Sequence, residues 1–409
     1  MKQLKILVFN PINDEGHLNL WHSEIVKTLT DQGHEVVLVN PRNFLDPAIF
    51  QGVALRNEER LTPDYAITSA SFTRKMISLF KKILGKKIYR IIRSLLKGQR
   101  TNYKSSTTAD EFNSPLGFYR QIALTNLFEK RIDLIFYTYF DFFTDEFLEK
   151  FPEIDELLGI PWVALLFDPK QKQIEEINKS QNCQGIGAID ETCFNKLSRE
   201  LNTDVTLVTD FVIDTANVGR LKISGPKKTI SLIGTLSERK NLDLFLSAVF
   251  SSEGKKYNWL LHGKLHTNNL KLITKLRIFR IKHCKHKNIM FNFSYLTDAD
   301  FNKALFNTDY MFLAYKNWMH ASNLLTHSVL HQIPVIAFED GEIGKLVNEY
   351  SLGAILTGNK KENVFQALDV LSEHNLSEGN LHSFLERFSR HNFARSIVHL
   401  LSQENFSER

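Results

Sequence analysis

The side chains that could do chemistry in this sequence lie in loops that follow predicted buried strands. The apolar run Met311–Tyr315 predicts a strand buried on both faces, and a polar loop then leads to a helix beginning at Ser322 or Asn323. The side-chain oxygen of either residue could cap that helix. The free N–H groups and positive dipole end of such a helix suit a phosphate. Taken alone, this stretch is also typical of any αβ unit.

A second candidate loop follows the first predicted strand, Lys5–Asn10. Gly16 in this loop would let a ligand approach the backbone, because glycine has no side chain. His17 could contact a reacting hydroxyl, although an ordinary polar loop residue explains it equally well. The loop lacks the Gly-x-Gly-x-x-Gly pattern, so a nicotinamide-binding fingerprint is absent.

Two series of short apolar runs, separated by helical patterns, must position these loops. Such runs are typical of parallel strands buried on both faces, and the loops at their carboxyl ends are where α/β sheets bind ligands. A length of 409 residues also exceeds one ordinary core. We therefore predict two Rossmann-like α/β domains. Their boundaries are 1–212 for the N-terminal domain, 213–228 for a linker, 229–385 for the C-terminal domain and 386–409 for a helix that could return to the N-terminal domain.

Local patterns predict further elements. We expect an irregular region over Pro41–Pro63, a helix that ends at Phe151 and a helix over Asn380–Gln403. Asp190 follows a predicted strand and could cap a helix that begins near Glu191.

The composition is that of a globular protein, with 43% hydrophobic and 24% charged residues. No apolar run approaches the roughly 20 residues needed to span a bilayer. The run Ile6–Phe9 is too short for a signal peptide and is interpreted as a strand. The three cysteines lie far apart without metal or redox spacing, which favours a cytoplasmic location.

Basic residues are concentrated in two segments. Arg74–Lys104 contains eleven lysines and arginines and Lys264–Lys287 contains eight, and neither segment has an acid. Apolar residues recur at helical spacing over Phe72–Leu96, which predicts a basic amphipathic helix that could bind the inner face of a membrane. An ordinary packed helix with a solvated charged face is the alternative. Aromatic residues are not interleaved with the charges, so no nucleic-acid partner is predicted.

Two patterns that could suggest a metal have simpler explanations. Asp298 and Asp300 follow Thr297, which is expected to cap a helix whose first turn favours acids. His327 and His331 share one helix face, but a zinc site would need a third ligand. The sequence therefore predicts neither a metal nor a cofactor.

Three segments resemble the GT-B glycosyltransferases, specifically the retaining family 4 enzymes. The segment Ile233–Asn241 resembles that family's Gly-Arg-Leu-Ser-x-x-Lys-Gly segment, which binds the donor diphosphate. Gln332–Ala337, followed by Gly341, resembles its Gly-x-Pro-Val-Ile-Ala…Gly segment, and Gly16-His17 is similar to its N-terminal glycine loop. The resemblance covers nearly the whole chain and is strongest from Thr229 to Gly353.

The resemblance implies two Rossmann-like domains facing a cleft, with acceptor bound by the first and donor by the second. The implied reaction moves a sugar from a nucleotide diphosphate-sugar to an acceptor hydroxyl, with retention and without a metal. The implied setting is synthesis of a surface glycan or glycolipid. The implied catalytic residues are His17 and Lys240. The implied substrate-binding residues are Gly16, Gly234, Thr235, Ser237, Arg239, Lys240, Gly263, His320, Ser322, Asn323 and His327.

The sequence departs from the family pattern at four charged positions. Thr235 stands where the family has the arginine that binds the diphosphate. Lys345 stands where the family has the glutamate of its Gly-Gly-x-x-Glu segment. Met319 and His327 replace the Glu-x7-Glu pair that holds the donor. His320–Asn323 resembles the Ser-Gly type loop of members that lack this pair, and its amides could bind phosphates. A non-catalytic GT-B relative that acts as a binding or scaffold subunit is therefore the alternative hypothesis.

Overall fold

The chain divides into two compact units, each built on one parallel sheet. The computed structural model describes residues 3–9, 17–40, 54–57, 132–143, 145–212, 226–265, 288–294 and 296–402, together with 273, 274, 276 and 278. Met1–Val208 with Ala394–Arg409 forms the first unit, and Thr209–Phe393 forms the second. The basic segment Arg74–Lys104, Gly16 and the linker residues 213–225 lie outside the described residues.

The first unit contains a seven-stranded parallel sheet in the order β3-β2-β1-β4-β5-β6-β7. Every residue of β4 and β5 is buried, as their apolar sequences predict. The chain order reverses between β1 and β4, and ligands of such sheets bind beside that switch point. The strands are β1 Lys5–Phe9, β2 Glu35–Asn40, β3 Ala54–Asn57, β4 Leu134–Tyr137, β5 Trp162–Leu166, β6 Cys183–Ala188 and β7 Val205–Leu207.

Four helices flank this sheet in the described part of the first unit. They are α1 His17–Asp31, α2 Asp145–Leu158, α3 Gln171–Lys179 and α4 Glu191–Glu200. The prediction that α2 ends near Phe151 is wrong, since the helix continues through Pro152 to Leu158. Its last turns are fixed by packing, because Ile154 is buried in the core and Asp155 accepts a hydrogen bond of 2.9 Å from Trp162 Nε1.

The second unit contains a six-stranded parallel sheet in the order β10-β9-β8-β11-β12-β13. Its strands are β8 Thr229–Ile233, β9 Asn258–His262, β10 Ile289–Asn292, β11 Tyr310–Phe312, β12 Val335–Phe338 and β13 Gly353–Leu356. Its helices are α5 Leu242–Val249, α6 Asp298–Phe306, α7 Asn323–Leu330, α8 Gly341–Glu349, α9 Lys361–Glu373 and α10 Glu378–Arg387, and α11 Arg390–Leu401 passes from this unit into the first. Separate buried clusters pack these helices on the two faces of the sheet.

Several local predictions differ from the structure. The region Pro41–Pro63, expected to be irregular, contains strand β3. The expected strand Met311–Tyr315 is shifted and shorter, since β11 spans Tyr310–Phe312 and the last backbone hydrogen bond to β12 is donated by Leu313 N to Ile336 O at 2.8 Å. The single C-terminal helix expected from Asn380 is instead α10 and α11, which are separated at Phe388 and Ser389. Among the helices that the structure describes, none is both long and apolar enough to cross a bilayer.

Two glycines allow the loops after β8 and β9 to touch. Gly234 has a positive φ of 91° and donates its N–H to His262 O at 3.0 Å. A Cβ at Gly263 would lie 1.7 Å from Gly234 O, far inside contact distance. Only glycine at position 263 therefore permits the two strand ends to approach this closely.

We expect Gly263→Ala to lower the free energy of unfolding by at least about 2 kcal/mol, because the added methyl group must displace the backbone of the neighbouring strand. Gly379→Ala is the matched control. It lies on an exposed turn of α10 where the added Cβ would be 3.7 Å from Ser377 Oγ, an ordinary contact. Helix propensity should then raise stability by up to about 1 kcal/mol. Urea denaturation followed by circular dichroism measures the free energy of unfolding of both variants. An equal change in the two variants would contradict the assigned contact between the loops.

Candidate functional site

Hydrogen bonds between loops join the carboxyl ends of strands β8, β9, β11 and β12 in the second unit. Leu236 N donates to Lys264 O at 2.9 Å, which joins the loops after β8 and β9. Lys316 N donates to Arg239 O at 2.7 Å and Glu342 N to Met319 O at 2.9 Å, which join the loop after β11 to its neighbours. We call this assembly, residues 234–241, 263–265 and 315–323, the loop cluster. It occupies the edge at which α/β sheets bind ligands.

Lys240 is the most deeply buried cation of the loop cluster, with only 3% of its surface exposed. It ends the short 3-10 turn Glu238–Lys240 between β8 and α5. Its Nζ donates a hydrogen bond to the backbone carbonyl of Ile233. Burial, and secondarily the positive charge of Arg239, lower the pKa of Lys240 to about 7. A bound anion would favour the charged form and raise that pKa.

Arg239 lies beside Lys240 and contacts aromatic rings. Its guanidinium carbon is 4.0 Å from the centre of the Trp318 ring and 5.4 Å from that of Tyr315. Burial lowers the pKa of Arg239 from its usual value. Within the described part of the chain, no carboxylate pairs with this guanidinium. The loop cluster thus holds two neighbouring cations, and we see no acid neutralising them among the described residues.

Helix α7 begins at Asn323 in the loop cluster, with Ser322 in the capping position. The prediction that one of these side chains caps the helix is wrong. Ser322 makes no capping bond and lies 3.5 Å from Tyr315 Oη, whereas Asn323 Oδ1 accepts from Thr326 Oγ1 at 2.9 Å. The first amides of α7 are therefore not satisfied by a capping side chain, which suits an anionic ligand.

The remaining predicted residues differ in their placement. Thr235 is exposed, Ser237 precedes the 3-10 turn, and Gly263 touches Gly234. The His320 ring packs edge-on against Trp318 at 5.3 Å. The His327 ring packs against Phe301 of α6 at 5.0 Å, one turn into helix α7. Helix α1 begins at His17, whose side chain, like Gly16, is outside the described residues.

Sequence reasoning missed the aromatic side chains around Arg239. Tyr315 ends an apolar run that predicts a strand, and Trp318 lies in a loop whose other residues are mostly polar. Their relation to Arg239 depends on two loops far apart in sequence. The one local signal is a tryptophan at the carboxyl end of a predicted parallel strand, where large aromatic residues often serve ligands.

A cavity of about 610 Å³ lies away from these cations, between the strands β9 and β10 and helix α6. Leu260, Met290 and Ala304 give it apolar walls, and its charged lining residues are the acid Asp300 and the exposed lysine Lys303. Neither Arg239 nor Lys240 lines this cavity. The charge pattern therefore favours the loop cluster, rather than this cavity, as the anion-binding site.

In the first unit, acids follow three neighbouring strands. Asp141 Oδ2 accepts from Phe167 N at 2.7 Å, and burial raises the pKa of Asp141 to about 7. Asp168 follows β5, and Asp190 caps α4 by accepting from Cys193 N at 2.7 Å, as predicted. No group of three or more potential metal ligands is found in the ranges that the structure describes.

The Lys240→Met variant should be more stable than the wild type, with a gain that depends on pH. The folded pKa of Lys240 is about 7 against 10.5 in the unfolded chain, so the unfolded chain binds more protons between these values. Wild-type stability therefore rises with pH across that window, whereas a methionine side chain in this place has no proton to lose. The difference in the free energy of unfolding between the variant and the wild type should therefore fall by roughly 2 kcal/mol from about pH 7 to about pH 9.

Thermal and urea unfolding at the two pH values measure this difference. Lys303→Met is the control, because Lys303 is exposed on α6 and its ammonium stays in water in the folded chain. A pH-independent effect of Lys240→Met would show that Lys240 is not held in a dry environment.

Solved structures show the same architecture as this chain, although no protein-family model and no curated protein matches its sequence. A glycosyltransferase from Rickettsia africae is 12% identical over 99% of this chain and 100% of that protein, with a TM-score of 0.62. Sucrose-phosphate synthase from Thermosynechococcus elongatus is 11% identical over 100% of both chains, with a TM-score of 0.64. HepE from Anabaena, in complex with UDP-glucose, is 14% identical over 98% of this chain and 100% of that chain, with a TM-score of 0.60.

At these identities the likeness establishes the fold and not the reaction. Both units have parallel sheets with the crossover order expected of Rossmann-like domains, and the match extends over essentially the whole chain. The predicted fold class is confirmed: this chain has the GT-B fold of glycosyltransferases.

Proposed function

We propose that this chain is a glycosyltransferase that moves a sugar from a nucleotide diphosphate-sugar to an acceptor hydroxyl. One observation carries the proposal: Lys240 and Arg239 lie side by side, without a paired acid in the described residues, in the loop cluster of a GT-B fold. A diphosphate is the anion that this arrangement fits. The structures of HepE with UDP and with UDP-glucose support a donor of this class.

The cations would act on the leaving group. As the bond between the sugar C1 and the phosphate oxygen breaks, negative charge grows on the diphosphate, and positive groups already in place stabilise it. Lys240, Arg239 and the amides at the start of α7 would supply that stabilisation without a metal ion. Gly234 and Gly263 would leave room for the phosphates beside the backbone.

Transfer with retention is the stereochemistry that we propose. The acceptor hydroxyl would attack C1 from the face that the diphosphate leaves, and its proton would pass to the departing phosphate oxygen. The new C1–oxygen bond then replaces the broken one, and the nucleoside diphosphate is released. The first unit would bind the acceptor, with His17 near the reacting hydroxyl, and the product would belong to a surface glycan or glycolipid.

A non-catalytic GT-B relative is the second candidate. The observation that favours it is the replacement of the family's carboxylate pair by Met319 and His327, neither of which can accept hydrogen bonds as a carboxylate does. Such a protein would bind a nucleoside diphosphate through the same cations but would not turn over a nucleotide sugar. Assay of a panel of nucleotide sugars, together with binding of UDP, ADP and GDP, separates the two candidates.

Lys240→Ala should reduce kcat/KM for the donor by at least about a hundred-fold, because it removes a buried charge that the leaving group would contact. Lys303→Ala, a change at an exposed lysine, is the matched control and should leave kcat/KM unchanged. Circular dichroism verifies that both variants fold. Wild-type rates in the Lys240→Ala variant would remove Lys240 from the reaction, and lack of binding of any nucleoside diphosphate by the wild type would remove the proposed function.

Peripheral attachment to an anionic membrane surface is proposed from the sequence of Arg74–Lys104. Replacing Lys81, Lys82, Lys86 and Lys87 with glutamine should reduce sedimentation with anionic vesicles by at least about ten-fold, since each basic residue near such a surface contributes about 1 kcal/mol. The matched control replaces four exposed lysines of the second unit, Lys255, Lys256, Lys303 and Lys361. Equal losses in the two quadruple variants would indicate non-specific charge attraction instead.

A further inference from the structure

We infer that Trp318 is a positioning residue that holds the Arg239 guanidinium ready for the diphosphate, so that Arg239 provides the second cation of the site. This inference rests on the proposed function. It begins from a departure in the sequence: Thr235, where the resembled family has an arginine, is uncharged and exposed. A diphosphate carries more than one negative charge, and Lys240 alone does not balance it. Arg239 is the neighbouring cation that can.

The contact between Trp318 and Arg239 has the geometry of a cation on an aromatic face. The guanidinium carbon lies 4.0 Å from the ring centre, well within the roughly 6 Å over which such attraction acts. Tyr315 supports the guanidinium as well, at 5.4 Å, and its ring centre lies 5.5 Å from Lys240 Nζ. Both cations therefore lie beside the Tyr315 ring, so one diphosphate would have the two positive charges within its reach.

An aromatic ring positions an arginine without consuming its hydrogen-bond donors. A carboxylate partner would neutralise the charge and occupy N–H groups, whereas a ring face leaves all five N–H groups available. The structure shows no ion pair and no hydrogen bond from the Arg239 guanidinium to another described residue. The side chain is thus restricted in its motion and still able to bind a phosphate in a bidentate manner.

The Trp318 ring is itself held by the loop around it. Its Nε1 donates to Ala321 O at 3.2 Å, which closes the loop on itself. A Cβ added to Gly341 would lie 2.6 Å from the Trp318 carbonyl oxygen, so this loop packs directly on the start of α8. The hydrogen bond from Lys316 N to Arg239 O fixes the backbone of the arginine to the same loop. The ring and the guanidinium are therefore placed by one hydrogen-bonded loop that packs on the start of α8.

Binding of inorganic pyrophosphate and of UDP, ADP and GDP, measured by titration calorimetry, tests the inference. Trp318→Leu should weaken the binding of the diphosphate that the wild type binds by roughly ten-fold, and Trp318→Phe, which retains a ring face, by less than about three-fold. Val370→Ala is the control, because Val370 is an exposed apolar residue of α9 and lies outside the loop cluster. It should bind like the wild type.

A double-mutant cycle with Arg239→Gln distinguishes positioning from a structural role. If Trp318 acts through Arg239, Trp318→Leu should have almost no further effect on binding in the Arg239→Gln background. Unchanged affinity in Trp318→Leu, or the same loss with and without Arg239, would overturn the inference while leaving the proposed function intact. Should Trp318→Leu not fold, Trp318→Met, which fills space without a ring face, and its cycle with Arg239→Gln decide the question by the same criterion. A wild type that binds no diphosphate would instead overturn the proposed function, and this inference with it.

Discussion

The cost of holding the Lys240 ammonium out of water is the constraint on which the rest of the site depends. Transfer of an isolated charge into a dry environment is strongly unfavourable, and a lysine in this situation gives up its proton more readily. The hydrogen bond to the Ile233 carbonyl compensates only in part. A lysine that is this deeply buried destabilises the folded chain. A role in binding a ligand that supplies the missing negative charge would explain why the chain tolerates this cost.

The sheet makes that placement possible. Parallel strands bring loops from distant parts of the sequence to one edge, so that the turn after β8, the glycine after β9 and the loop after β11 meet there. The two glycines remove the side chains that would hold β8 and β9 apart. The Ile233 carbonyl that accepts from Lys240 belongs to β8 itself, so the cation is fixed to the sheet and not to a mobile loop.

The sequence predicted those features that depend on local chemistry. Continuous apolar runs marked the strands, and Asp190 and Thr297 were identified as helix caps because an acid or hydroxyl before a helix has a local partner. The predictions that failed depended on tertiary contacts. Helix α2 continues past Pro152 because its later turns are packed, and the amides of α7 lack the expected cap because the Ser322 hydroxyl faces Tyr315.

In the candidate site, too, residues identified by local pattern were predicted and those identified by tertiary contacts were not. Lys240 and Arg239 were recognised from a short segment, because position within a motif is a local property. Trp318 was not recognised, because its contact with Arg239 joins the loop after β8 to the loop after β11. Neither loop alone contains a pattern that predicts this contact. The low pKa of Lys240 was also beyond the sequence, since burial is a property of the whole second unit.

The two units differ in the side chains that follow their central strands. In the second unit Lys240 and Arg239 favour a phosphate, whereas in the first unit Asp141 and Asp168 follow strands β4 and β5. Carboxyl groups suit a ligand rich in hydroxyls, because they accept hydrogen bonds that a phosphate cannot offer. Under the proposed function, the cations of the second unit would bind the anionic donor, and the carboxyl groups of the first unit would serve the hydroxyls of the acceptor.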